Sequence, residues 1–345
     1  MKKTLAIASA VLLAAFAFSC GKGPGTGGQA TSESLLKLLP QDTSVVIMID
    51  LHRAMSTQRA QEALQKEEAK QKYEEFVQKV GIDPMKDISF VAIGLIRPAT
   101  DKDREGVAIV NLKYDKAALL DKLKSADADL QEETYNGITL YKSGETGMGG
   151  KEAVGAFLTD SDIVAGTGAA VRQVIDVYQK KADSVLKNAE MAKLVKAVDT
   201  SAITWVAASL PPELTKMAAE RNPQFKILEG ITGLTMSFDY RDNDLIADIQ
   251  THGGTKDQNT QIQKMLDGLK AMGLTFAANQ PALTDLLNTL DITSGVDFVR
   301  IYARIPGEVL TKIQAAAREK LGGMMWGTPG TQKEEPKEEK KEEKK

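Results

Sequence analysis

The apolar positions of the chain change their pattern three times. Lys2 and Lys3 are followed by an almost wholly apolar run from Leu5 to Phe18. That run is shorter than the ~20 residues needed to span a bilayer and fits the apolar stretch of a secretory signal, predicting a leader over residues 1–19. From Gly21 to Ser34 the chain is mostly Gly, Ser, Thr and Pro, which predicts a flexible tether over residues 20–34. Strand-like and helix-like apolar segments then alternate up to about residue 325. The last residues, 326–345, end in "KEEPKEEKKEEKK", where like charges four apart (Glu338 with Glu342) weaken an isolated helix, so this tail reads as disordered.

Inside the body the pattern occurs twice. "LLKLLPQDTSVVIMIDL" from Leu35 and "KLVKAVDTSAITWVAASL" from Lys193 both read as a helical end, then Asp-Thr-Ser, then a strand. A strand ("DISFVAIGL" from Asp87, "GITGLTMSFDY" from Gly230), a polar turn, and a second strand ("VAIVNLKY" from Val107, "LIADIQTH" from Leu245) follow in each copy. A helix comes next, with Leu119, Leu120 and Leu123 in one copy and Ile262, Met265, Leu266 and Leu269 in the other forming one apolar stripe. Asp115 is placed to cap the first of these helices. Each half closes with strand then helix, at "DIVAGTGAAVRQVIDVY" and "DFVRIYARIPGEVLTKIQ". Asn136-Gly137 between alternating apolar residues marks a tight hairpin. Between the first two strands, Tyr73, Phe76, Val77 and Val80 share one face of a charged helix that carries the Glu68–Lys72 pair; a solvated face is the favoured reading, a partner-binding helix the other. Antiparallel hairpins with following helices predict an α+β fold of two similar lobes, 35–188 and 189–325. Duplication explains the repeat, and convergence of similar strand patterns is the alternative.

Composition narrows function more than fold. At 345 residues the chain exceeds a comfortable single core. The net charge is -3, without a block of Lys and Arg, which argues against nucleic acid as a partner. Aromatic residues are 5%, leaving little for stacking platforms. The single cysteine, Cys20, closes no intrachain disulfide and belongs to no cysteine-rich zinc motif.

The apolar run ends Ala17-Phe18-Ser19-Cys20-Gly21. This resembles the lipobox of bacterial lipoproteins, in which a small residue precedes the cysteine; Ser19 and Cys20 match, and Ala17 stands where leucine is more usual. The resemblance implies cleavage before Cys20, a diacylglyceryl group on its thiol and an acyl chain on its new amine, anchoring the protein to a membrane. More than one acyl chain gives firm anchoring. An ordinary cleaved signal with an incidental cysteine is the alternative. Gly21, in place of the aspartate that retains Gram-negative lipoproteins in the inner membrane, implies the outer membrane facing the periplasm, or the cell surface. "LPQDTSVVIMID", "GIDPMKDISFVAIG" and "FLTDSDIVAGTGAAVRQVID" resemble exported bacterial proteins of unknown function that open with a Pro-x-Asp-Thr strand entry, here Pro40, Asp42 and Thr43. That group supplies no catalytic residues to carry over.

The remaining motifs carry little chemistry. "GTGAAV" from Gly166 follows a strand and opens a helix, but Val171 replaces the third small residue of a dinucleotide fingerprint and the preceding strand sits in a tight hairpin. "DKDREG" from Asp101 starts like a calcium loop but has Leu112 where a bidentate glutamate belongs. There is no GxSxG elbow and no HExxH. His52 and His252 read as surface turn residues and Trp205 as core; Trp326 is either a small apolar patch or a helix cap. No cofactor and no metal are expected. The sequence reading is a lipid-anchored cell-envelope protein that binds an envelope protein or peptidoglycan, or acts structurally. The alternatives are a carrier of lipid or another apolar ligand, and a hydrolase with unrecognised carboxylates.

Overall fold

The computed structural model of the chain describes residues 31–96, 105–146 and 150–321. The lipidation candidate Cys20, most of "DKDREG", Trp326 and the Lys/Glu tail lie outside these residues. The described chain runs α1 (Ser32–Leu36), β1 (Thr43–Asp50), α2 (Leu51–Met55), α3 (Gln58–Leu64), α4 (Glu67–Val80), β2 (Ile88–Ile96), β3 (Glu105–Leu112), α5 (Lys116–Ala126), β4 (Gln131–Tyr135), β5 (Ile138–Thr146), β6 (Glu152–Phe157), β7 (Asp162–Thr167), α6 (Gly168–Tyr178) and α7 (Ala189–Ala197). It continues with β8 (Thr204–Ser209), α8 (Pro212–Arg221), β9 (Ile231–Arg241), β10 (Asp244–Gly253), α9 (Lys256–Phe276), α10 (Pro281–Asn288), β11 (Leu290–Ser294), β12 (Phe298–Ile305) and α11 (Gly307–Leu321).

Local chemistry sets several of these boundaries. Asp115 accepts from the Ala118 backbone N–H at 2.9 Å and caps α5. Gly81, at φ 79°, ends α4 in the left-handed conformation that glycine adopts without strain. Two hairpins turn on consecutive residues with positive φ, Asn136 (50°) with Gly137 (81°) and Asp242 (50°) with Asn243 (71°), the geometry that matches strand twist. Thr255 and Gln258 form a reciprocal capping box at the start of α9.

The twelve strands of the described residues join one antiparallel sheet in the order β11-β12-β10-β9-β8-β1-β2-β3-β7-β6-β5-β4. The fold is therefore α+β, with a sheet continuous across its centre, where β1 pairs with β8. Directly opposed residues share a face. One row crosses the whole sheet: Asp291, Tyr302, Asp248, Ser237, Trp205, Met48, Ala92, Ile109, Val164, Ala156, Leu140, Glu133. It is apolar from Trp205 to Leu140 and polar beyond Trp205 towards β11.

The apolar part of this first face is covered by α1, α6 and α7. Leu35, Val171, Val174, Ile175, Met191 and Leu194 pack there with Met48, Ile109 and Trp205. The opposite face of β1, β2 and β3 carries Ile49, Val91, Ile93 and Val110, packed with Leu51 and Met55 of α2 and Leu119 of α5, with Tyr73 and Val80 of α4 partly buried against them. From β10 to β12 this second face is covered by α9, α10 and α11, through Ile262 against Val299 and through Val309, Leu286 and Ile313 against Ala303 and Ile305. A bulge sets the edge of this region: His252 pairs with Gly233 but Gly253 pairs with Ile231, so Thr232 has no opposite residue on β10 and Ile231 turns onto the α9 side.

Both free edges are managed. On β11, Gln263 and Lys270 of α9 donate to the carbonyls of Ile292 (3.0 Å) and Leu290 (2.5 Å). On β4, Glu133 meets Arg172 at 2.9 Å and Lys142 at 2.6 Å. Covered carbonyls and charged side chains blunt strand pairing with other chains.

Candidate functional surface

The motifs singled out in the sequence find structural roles. Gly166 ends a strand paired antiparallel with both β3 and β6, without the parallel crossover of a dinucleotide site. A Cβ at Gly166 would lie 2.2 Å from the Gly106 carbonyl oxygen, so close strand approach requires this glycine. Asp162 at the hairpin turn accepts from Asn111 at 2.7 Å and from Thr159 at 2.8 Å. Trp205 is 1% exposed and belongs to the core.

The two histidines are not brought together. His52 lies in α2 after the C-terminal end of β1, whereas His252 lies at the C-terminal end of β10, three strands away and at the other end of the sheet. His252 departs from the surface placement expected of it. It is 7% exposed, its Nε2 is 2.8 Å from Thr235 Oγ1, and burial holds its pKa below the ordinary imidazole value. A hydroxyl partner inside the sheet is what makes this burial tolerable. No group of three or more His, Cys, Asp or Glu is placed to hold a metal among the described residues.

Two arginines tie the halves of the sheet together. Arg53 of α2 donates to the Ser201 carbonyl at 2.6 Å and to Asp239 at 3.0 Å, while its backbone N–H donates to Asp50 at 2.9 Å. Burial raises the Asp50 pKa. Arg59 of α3 donates to the Gly307 carbonyl at the start of α11. This arrangement is a clamp: the guanidinium of Arg53 is taken up by a carboxylate and a carbonyl and holds distant segments in register.

The surface with no structural account is apolar. Eight of the nine large exposed hydrophobic side chains among the described residues lie between Met217 and Val296. Four of them, Met265, Leu269, Met272 and Phe276, recur on α9 at intervals of four, three and four, which aligns them along one flank of the helix. Leu269 and Met272 are each 50% exposed and Phe276 is 76% exposed. Leu283 on α10 extends the same end of the helical pair. The apolar stripe expected on this helix thus divides: Ile262 is buried and Leu266 packs beside it, but Met265 and Leu269 face outwards. The sequence pattern marks an apolar helix but not how wide a sector the sheet covers.

The family model "Protein of unknown function (DUF3352)" matches residues 4–280, and the chain belongs to this family. No curated protein matches the chain. Among solved structures, crystal form III of TP0453 is similar at 12% identity, covering 81% of this chain and 97% of that one, with a TM-score of 0.48. Crystal form IV of the same protein gives 11% identity, 81% and 96% coverage and a TM-score of 0.44.

Proposed function

We propose that this member of the DUF3352 family is a lipid-anchored cell-envelope protein that acts by binding or by structure rather than by catalysis. The observation that carries the reading is the lone cysteine, Cys20, placed directly after an apolar leader in the setting Ser19-Cys20-Gly21. In this reading residues 1–19 are removed, Cys20 becomes the acylated first residue, the tether runs from Cys20 and stops short of the expected residue 34 because α1 begins at Ser32, and Gly21 directs the protein to the outer membrane on its periplasmic side. An envelope protein or peptidoglycan is the partner class.

The body is read as two similar units, 35–188 and 189–325. Support for duplication comes from strand order, which reads β1-β2-β3-β7 outward from the centre on one side and β8-β9-β10-β12 on the other. The non-catalytic part of the reading draws support from the residues themselves: the glycine motif serves strand packing, and the Arg53 cluster serves as a clamp.

Feeding cells an alkyne fatty acid and measuring the intact mass of the mature protein tests the anchor. Label and added acyl mass on the N-terminal peptide are expected, both lost in Cys20→Ser. A mature chain without acyl mass, or a Cys20→Ser chain that keeps the label, overturns the anchor.

A further inference from the structure

We infer that the exposed flank of α9 is a lipid-docking face that lays the C-terminal half of the body on the bilayer holding the anchor. The inference rests on the anchor reading for its geometry. Its first support is shape. Met265, Leu269, Met272 and Phe276 span eleven helical rises, about 17 Å, along one flank of the helix. The polar positions Lys264 and Asp267 lie on another side of the same helix. An apolar stripe with a polar opposite side is the form of a helix lying in the membrane interface.

The second support is size. Four side chains, none fully exposed, offer on the order of a few hundred Å² of apolar surface. A stable protein dimer needs about 800 Å² from each partner. A bilayer sets no such requirement, because each apolar side chain enters it independently of the others; the covalent anchor strengthens the contact further by making it intramolecular.

The third is reach. Eleven peptide links separate Cys20 from Thr31, where the described body begins. They extend at most about 38 Å. The body's first helix packs beside β2, and α9 packs beside β11 and β12. Five strand steps separate β2 from β12, about 24 Å, and the two helices lie on opposite faces of the sheet, which at about 10 Å from sheet to helix on each side makes the separation about 31 Å. The anchor thus confines the stripe to the neighbourhood of the lipid surface, and the tether is long enough for the stripe to touch it.

The test removes the anchor and keeps the face. Every core residue described above lies between residues 31 and 321, so the chain without residues 1–20 keeps all of them, and its circular dichroism and cooperative melting are checked before use. It is mixed with phosphatidylethanolamine–phosphatidylglycerol vesicles and floated through a density gradient. We expect the parent to float, and to do so in high salt, because the attraction is apolar. The double variant Leu269→Glu/Phe276→Glu is expected to lose at least tenfold in bound fraction while its circular dichroism and melting stay those of the parent. Tyr178→Glu, an exposed position on α6, is expected to float as the parent does. A parent that stays unbound, or a double variant that floats equally well, overturns the docking face whatever the acyl mass of Cys20 shows. A parent that stays off vesicles but dimerises in sedimentation, with the double variant monomeric, overturns it in favour of a second copy as the occupant.

Discussion

The two ends of the sheet, β7-β6-β5-β4 on one side and β12-β11 on the other, are covered differently. Around β1, β2, β3 and β7 both faces are buried: α6 and α7 close one and α2, α4 and α5 the other. Among the described residues, β12 and β11 have one closed face, while on the Trp205 face of β10 only Ile246 and His252 are buried. The difference begins at the helix that follows the last common strand of each half. After β7, α6 packs on the face carrying Trp205 and Val164; after β12, α11 packs on the face carrying Ala303. With no such helix above it, the Trp205 face of β10 and β12 carries Asp248, paired with Arg300 at 2.6 Å, and Tyr302. One half is thus covered on both faces, and the other carries its exposed apolar side chains on the outer flank of α9, the helix that covers its second face. The side chains on each strand decide which face accepts a helix.

Four measurements can break or sharpen this contrast. The largest effect is expected at Trp205, which lies between Met48 and Ser237 where the apolar row meets the polar one. Trp205→Ala should cost about 3–5 kcal/mol in urea unfolding, and both halves should lose structure in one transition because they share this core. Unfolding in two separated steps would show that the ends are independent.

Glycines give the next contrast. Gly166 has the Gly106 backbone against its missing Cβ, whereas Gly268 in α9 has nothing within 4 Å. Gly166→Ala is expected to destabilise by about 1–3 kcal/mol. Gly268→Ala is expected to stabilise by about 0.5–1 kcal/mol, through backbone entropy and helix propensity. Denaturant midpoints check both, and equal signs would remove the contrast.

The smallest effect is the pH response of His252. Burial depresses its folded-state pKa, so the unfolded chain binds more protons in the window below about 6.5. Stability should therefore fall as pH drops through that window. His252→Gln should flatten the slope there. Asp50, whose pKa burial raises, contributes with the opposite sign at lower pH, just above the ordinary aspartate value. An unchanged slope in His252→Gln would mean that the imidazole charges without cost in the folded chain.

Much of the well-packed half is legible in the sequence. The runs Val45 to Ile49 and Val107 to Leu112 read directly as strands, Asp115 as a cap and Asn136-Gly137 as a hairpin, because each rests on local chemistry. The less covered half is harder to read. β11 is five residues, "LDITS", and α10 is eight, too short for a periodic signal to separate from its flanks. The insert after β1 reads as one charged helix but is divided by Thr57, which caps α3, and by a restart at Glu67. The pairing of β1 with β8 joins segments about 160 residues apart, which no local pattern encodes. His252 looks like a turn residue until the hydroxyl of Thr235 is brought beside it. The docking stripe is legible only as an apolar helix, since burial of Ile262 and exposure of Leu269 depend on where the sheet ends.

The claim that one half meets lipid while the other does not is tested most directly with a polarity-sensitive dye. Cys20 is the only cysteine in the sequence, so in the chain lacking residues 1–20 a cysteine introduced by Leu269→Cys or by Tyr178→Cys is the sole thiol. On adding vesicles, dye at position 269 should shift to the blue and be quenched by lipid-borne nitroxide, and dye at position 178 should do neither. Identical spectra at position 269 with and without vesicles, or equal shifts at both positions, would contradict it.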